Sequence, residues 1–101
     1  MNKARRKELS ELVDGLSMMQ DRDDLYGWIN ALDNIKGDEQ DYYNNIPENL
    51  QCSQRAEDSE AAIENLDEAL DMLNDVYNMD NFDVNCKLIQ KAICKIEEAC
   101  W

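Results

Sequence analysis

Apolar side chains recur at alternating intervals of three and four residues, and this spacing constrains the fold more than any other feature. It is clearest between residues 54 and 78, where the series is Ile63, Leu66, Leu70, Leu73 and Tyr77, with Ala62 and Ala69 beside it. That period is typical of one face of an α-helix. Only one proline and three glycines occur in 101 residues, so few positions can interrupt helices. The pattern predicts an all-α chain.

Three further segments carry the same spacing, which predicts a small bundle of three to four helices. They run from about residue 3 to 19, from about 24 to 45 and from about 82 to 100. The apolar stripes of the first two segments point in different directions when a period of about 3.6 residues is followed along the chain. This mismatch predicts a break at residues 20–24, with an Asp as the N-cap of the second helix. One long bent helix over residues 3–45 is the alternative.

Turn chemistry predicts the remaining boundaries. Pro47 pushes the preceding residue out of the α region and ends the second helix, and Ser53 is the expected N-cap of the third. Asp80 or Asp83 is the expected cap of the fourth, which pairs with the third as an antiparallel hairpin around the turn at 79–81. We predict a single domain over residues 1–101. Its core is expected to contain Leu12, Leu16, Ile29, Leu32, Leu66, Leu70, Ile89 and Ile93.

The charge is strongly negative and unevenly distributed. The chain has 23 acidic residues, 10 basic residues and no His, for a formal net charge of −13. The charge is +4 over residues 1–7, −18 over 8–83 and +1 over 84–101. This balance disfavours direct binding to nucleic acid or to an anionic membrane. No apolar run has the length of a signal peptide or a membrane span, which predicts a cytoplasmic protein.

The residue types argue against an enzyme, so no catalytic residue, cofactor or metal is expected. Without His, no Ser/His or Cys/His pair can form. The acids lie on predicted solvent faces, where nothing raises the pKa of a carboxyl group. The glycines are too far apart for a phosphate-binding loop. The segment 21–32 fails as a calcium loop because Leu25 and Leu32 stand at ligand positions.

The four cysteines, Cys52, Cys86, Cys94 and Cys100, lack the close spacing of zinc ligands. Disulfides are not expected in a reducing compartment. Cys86 and Cys100 are interpreted as small core residues of the last helix. Cys94 lies at the edge of that face, where a free thiol is expected. Their redox state stays open.

The acidic face of the third helix is the main candidate for a binding surface. Its members are Glu60, Glu64, Asp67, Glu68, Asp71 and Asp75. One interpretation is a solvated face that keeps a small protein soluble. The other is a rigid row of carboxylates, about 5–6 Å apart from turn to turn, that imitates duplex phosphates. Such a row would occupy a basic, nucleic-acid-binding groove on a partner protein, with Tyr43 as a possible anchor.

The start of the chain is basic, with Lys3, Arg5, Arg6 and Lys7. A phosphate or partner contact is one interpretation. We prefer a solvated helix start, because one basic turn beside so much acid makes a poor nucleic-acid site.

Two stretches carry a family resemblance. They are residues 1–9, MNKARRKEL, and residues 38–51, DEQDYYNNIPENLQ, which lead through SQRA into the acidic helix. Together they resemble small, acidic, helical proteins encoded in bacteriophages and prophages, a group without an assigned activity. Residues 20–37 and the last helix fall outside the resemblance. It implies a phage setting and favours an inhibitor of a basic host protein, such as a defence nuclease. A phage structural or assembly module that acts through helix self-association is the alternative, which leaves homo-oligomers open.

Overall fold

The computed structural model describes residues 3–47, 49, 53–83 and 87–99. Within these residues the chain forms four helices and no strand: α1 (Lys3–Met18), α2 (Arg22–Asn44), α3 (Gln54–Tyr77) and α4 (Lys87–Ala99). The prediction of an all-α bundle is confirmed. The sequence predicts the fourth helix from about residue 82, with Asp80 or Asp83 as its cap, but residues 81–83 are not helical, so this start and a cap at Asp80 are wrong. Residues 84–86, which precede α4, lie outside the described residues, and so does the test of Asp83 as the cap. The predictions for Cys52, Cys86 and Cys100 lie outside them as well.

α1 and α2 are separate helices, so the predicted break is confirmed and the alternative of one long bent helix over residues 3–45 is wrong. Asp21 has an extended backbone, and its carboxylate accepts a 2.9 Å hydrogen bond from the backbone N–H of Asp24. The carboxylate of Asp24 accepts in turn from the backbone N–H of Gln20 at 3.1 Å. The first bond satisfies one of the donors that a helix start leaves free, and the second joins the residue before the cap to the first turn of α2. Ser53 caps α3 in the same way, since its hydroxyl accepts from the backbone N–H of Ala56 at 3.3 Å.

The helices alternate in direction around the bundle. Arg5 near the start of α1 lies against Glu39 near the end of α2, and Glu39 lies against Ser59 near the start of α3. Lys95 in the last turns of α4 lies against Glu68 in the middle of α3. Each helix therefore runs antiparallel to the one before it. Contacts between α1 and α4 close the bundle.

One hydrophobic core receives side chains from all four helices, and it contains all eight residues that the spacing predicts for it. The buried stripe of α3 is rotated from the expected one. Ser59, Ala62 and Ala69 are buried, whereas Ile63 is only partly buried. Small side chains thus face the neighbouring helices and allow a close approach. No described helix has the length and apolar character that crossing a bilayer requires.

Candidate functional site

The acidic residues of α3 form an outward-facing ridge, which we call the acidic ridge. It consists of Glu60, Glu64, Asp67, Glu68, Asp71 and Asp75, all of them exposed. The ridge faces outward because α3 buries its opposite side against both α2 and α4. The sequence-based assignment of these six residues to one face therefore agrees with the structure.

Two lysines from neighbouring helices pair with the flanks of the acidic ridge. Lys36 Nζ of α2 lies 2.6 Å from Asp67 Oδ1, and Lys95 Nζ of α4 lies 2.9 Å from Glu68 Oε2. Both carboxylates stay more than half exposed, at 57% and 53%. The hydrogen bond to Glu68, followed by the charge of the same carboxylate, raises the pKa of Lys95 above its ordinary value. The flanks of the ridge are thus partly neutralised within the bundle.

Around the helix axis, the other four carboxylates lie between Asp67 and Glu68, and we call them the centre of the ridge. Glu60, Glu64, Asp71 and Asp75 form no ion pair with any lysine or arginine in the part of the chain that the structure describes. At a rise of about 1.5 Å per residue, the ridge is about 22 Å long. Its six carboxylates give one charge per roughly 4 Å, near the value of about 3.4 Å along one DNA strand. The four central carboxylates alone give one per roughly 6 Å.

Tyr43, the predicted anchor, lies in the last turn of α2 and is half-buried. This is the end of the bundle at which α3 begins, so Tyr43 and Glu60 lie toward the same end. Only part of its ring is open to a partner. The structure therefore places Tyr43 toward the Glu60 end of the bundle.

A buried polar cluster joins three helices at this same end, and sequence reasoning missed it. Glu39 has no solvent exposure. It accepts from Arg5 Nε at 2.6 Å and from Ser59 Oγ at 2.8 Å. The preferred interpretation of Arg5 as part of a solvated helix start is wrong, because its side chain is only 13% exposed. The placement of every acid on a solvent face is wrong for Glu39.

The signal for this cluster was present in the spacing. Glu39 follows Leu32 by seven residues, and Ser59 precedes Leu66 by seven. Both positions fall on the apolar stripe of their helix, which a polar residue occupies at a cost unless it is hydrogen-bonded. The guanidinium of Arg5 also lies 5.3 Å from the ring centre of Tyr42, in cation–π range. The hydrogen bonds of Arg5 and Ser59 to Glu39 join one protein group to another, which points to a structural role.

The opposite end of the bundle is held by Arg22. Its Nη2 donates a 2.5 Å hydrogen bond to the backbone oxygen of Met79. The guanidinium lies 6.0 Å from the ring of Tyr77 and 5.7 Å from the ring of Phe82. These contacts fasten the start of α2 to the segment that follows α3.

Across the described ranges, no group of three or more Asp, Glu, Cys or His is placed to hold a metal ion. Cys94 is exposed and free, as the sequence predicts for that residue.

The fold and the acidic ridge together define an acidic four-helix bundle over the described residues. No protein family, curated protein or solved structure matches this chain.

Proposed function

We propose that this chain is a non-enzymatic binding protein whose acidic ridge blocks the basic, nucleic-acid-binding site of another protein. The observation that carries the proposal is the centre of the ridge. Glu60, Glu64, Asp71 and Asp75 lie in one exposed row without a basic partner in the described part of the chain. Such a row is an interaction surface for a cationic groove.

The helix that holds the row supports this use. α3 has 24 residues and packs against both α2 and α4, so the carboxylates are positioned before a partner arrives. A preorganised surface loses little conformational entropy on binding. The net charge of −13 adds long-range attraction toward a basic protein. The same charge repels nucleic acid, which leaves the protein partner as the target.

The resemblance of residues 1–9 and 38–51 to phage-encoded proteins bears on the identity of the partner. It favours a basic protein in the cytoplasm of a bacterial host, such as a defence nuclease. Inhibition would then consist of occupying the groove that otherwise takes duplex phosphates.

Charge reversal along the ridge tests the proposal. The variant Glu60→Lys/Glu64→Lys/Asp71→Lys leaves both lysine pairs of the ridge intact. A matched control, Asp14→Lys/Asp41→Lys/Glu97→Lys, changes the net charge equally at exposed positions of the other three helices. Each protein is immobilised and exposed to host lysate. Retained proteins are eluted with increasing salt and with duplex DNA, and the nuclease or DNA-binding activity of the eluted proteins is assayed.

We expect the unaltered chain and the control variant to retain a basic protein that both salt and duplex DNA release. We expect the ridge variant to lose it. Equal retention by the ridge variant would contradict the proposal and would make the acidic ridge a solvated face. A discrete oligomer in light scattering that is insensitive to salt would instead favour the assembly module.

A further inference from the structure

A groove separates α1 from α2, on a different flank of α2 from the one that packs on α3. Its volume is about 350 Å³, toward the lower end of the range for ligand pockets. The lining has an apolar floor and a charged rim, and its principal members are Leu12, Ile35, Trp28, Glu8, Glu11 and Asp38.

One wall of the groove exists because α1 has a glycine opposite Trp28. A Cβ atom at Gly15 would lie 2.1 Å from Cζ2 of Trp28, so the indole occupies the space of the missing side chain. Trp28 is thereby held against α1, where it forms one wall of the groove. Leu12 and Ile35 are buried beneath it. The groove is thus built by the sequence of both helices and does not depend on a loop.

The rim is acidic on both sides. Glu8 and Glu11 of α1 face Asp38 of α2 across the groove, and all three are exposed. None of them pairs with a lysine or arginine among the residues that the structure describes. An anionic occupant would be repelled by this rim. A neutral apolar occupant would desolvate the carboxylates without compensation.

We infer that the groove between α1 and α2 receives an arginine or lysine side chain from a basic segment of a protein partner. The aliphatic stem would pack on Trp28 and Ala31, the partly exposed apolar members of the lining, as long cationic side chains do on apolar surface. The charged head would lie among Glu8, Glu11 and Asp38. The indole of Trp28 adds a cation–π partner. This site is separate from the acidic ridge, so it stands whether or not the ridge binds a protein.

The test uses the full chain, a tetra-arginine peptide and a tetra-citrulline peptide. Citrulline keeps the shape of arginine without its charge. Each peptide is titrated at low ionic strength, and binding is followed by two-dimensional NMR at the indole N–H of Trp28 and at the backbone amides of Leu12 and Ile35. The site variant is Glu8→Gln/Glu11→Gln/Asp38→Asn. The matched control, Glu60→Gln/Glu64→Gln/Asp71→Asn, removes the same charge from the ridge.

We expect the arginine peptide to shift the Trp28, Leu12 and Ile35 signals and the citrulline peptide to leave them in place. We expect the site variant to weaken the binding that these signals report by about tenfold, and the ridge control by less than about twofold. Ala31→Met, which fills the groove while all carboxylates remain, should also weaken binding. Circular dichroism of each variant checks the fold.

Equal weakening in the site variant and the ridge control would overturn the inference, because net charge alone would then explain the binding. Shifts that miss the three groove residues would overturn it too. The ridge experiment in host lysate has a different readout and different variants, so either idea can fail alone.

Discussion

Nε of Arg5 in α1 donates a 2.6 Å hydrogen bond to Oε2 of Glu39 in α2, a carboxylate with no solvent exposure, across 34 positions of the chain. The hydroxyl of Ser59 in α3 donates to the other oxygen of the same carboxylate. One side chain thus ties three helices together at one end of the bundle. Removing Arg5 takes the cation away from a carboxylate that has no solvent exposure.

Arg5→Met is expected to lower the free energy of unfolding by about 3–5 kcal/mol, the usual cost of breaking a buried ion pair from one side. Urea denaturation followed by circular dichroism measures it. Arg6→Met is the matched control, because Arg6 is exposed on the same turn and should change stability by less than about 0.5 kcal/mol. Arg5→Met/Glu39→Leu, which removes both charges, should recover part of the loss. Similar stabilities for the Arg5 and Arg6 variants would show that the pair contributes nothing.

Gly15→Ala is expected to destabilise the protein although alanine favours helix. The new Cβ would lie 2.1 Å from Cζ2 of Trp28, so the indole or α1 must move. Overpacking costs about 1–3 kcal/mol, whereas the gain in helix propensity is about 1 kcal/mol. Thermal denaturation gives the sign, and the fluorescence of Trp28 in a Trp101→Phe background reports the displaced ring. A rise in Tm with unchanged fluorescence would refute the close approach of Gly15 and Trp28.

Gly27→Ala and Gly37→Ala are expected to have the opposite effect. Both glycines lie inside α2, and a Cβ at either position would meet nothing within 4 Å. Each substitution should therefore stabilise the protein by up to about 1 kcal/mol through helix propensity alone. The same thermal denaturation measures it. A loss of stability at either position would mean that α2 is crowded there.

Glu68→Gln is expected to lower the pKa of Lys95 toward its ordinary value of 10.5, because the hydrogen bond and then the charge of Glu68 are the main causes that raise it. A raised pKa in the folded state adds stability that is fully present below the unfolded pKa and is lost as pH rises through the folded pKa. On the alkaline side, the stability difference between the two proteins should therefore begin to shrink above about pH 10.5. NMR titration of the Lys95 Cε signal measures the pKa, with Glu60→Gln as control. An unchanged Lys95 titration in Glu68→Gln would exclude the pair.

The helices themselves follow from spacing and capping that can be recognised in the sequence. The 3–4 apolar series, Asp21 before α2 and Ser53 before α3 each depend on residues close together in the chain. The acidic ridge is predictable for the same reason, since its members lie on one helix. The spacing does not predict that α2 and α4 bring Lys36 and Lys95 to the flanks of the acidic ridge.

The buried cluster and the groove escaped the sequence because each joins residues on different helices. Glu39 is a core position by spacing, but only packing brings Arg5 and Ser59 to it. In the sequence, Gly15 is only a residue of low helix propensity. Its close contact with Trp28 depends on how α1 and α2 pack. In the sequence, the buried cluster was indicated only by polar residues on the apolar stripes of the helices. Such residues predict a cluster only when several helices carry them at the same end of the bundle.

The alternating order of the helices has a consequence for the speed of folding. Among the described helices, the interfaces α1–α2, α2–α3 and α3–α4 each join helices that are consecutive in the chain, and α1–α4 joins the first helix to the last. Bundles whose contacts are mostly local in sequence fold in microseconds to milliseconds, because little loop-closure entropy is lost before these contacts form. A newly made copy of this chain would therefore present its carboxylate row soon after synthesis.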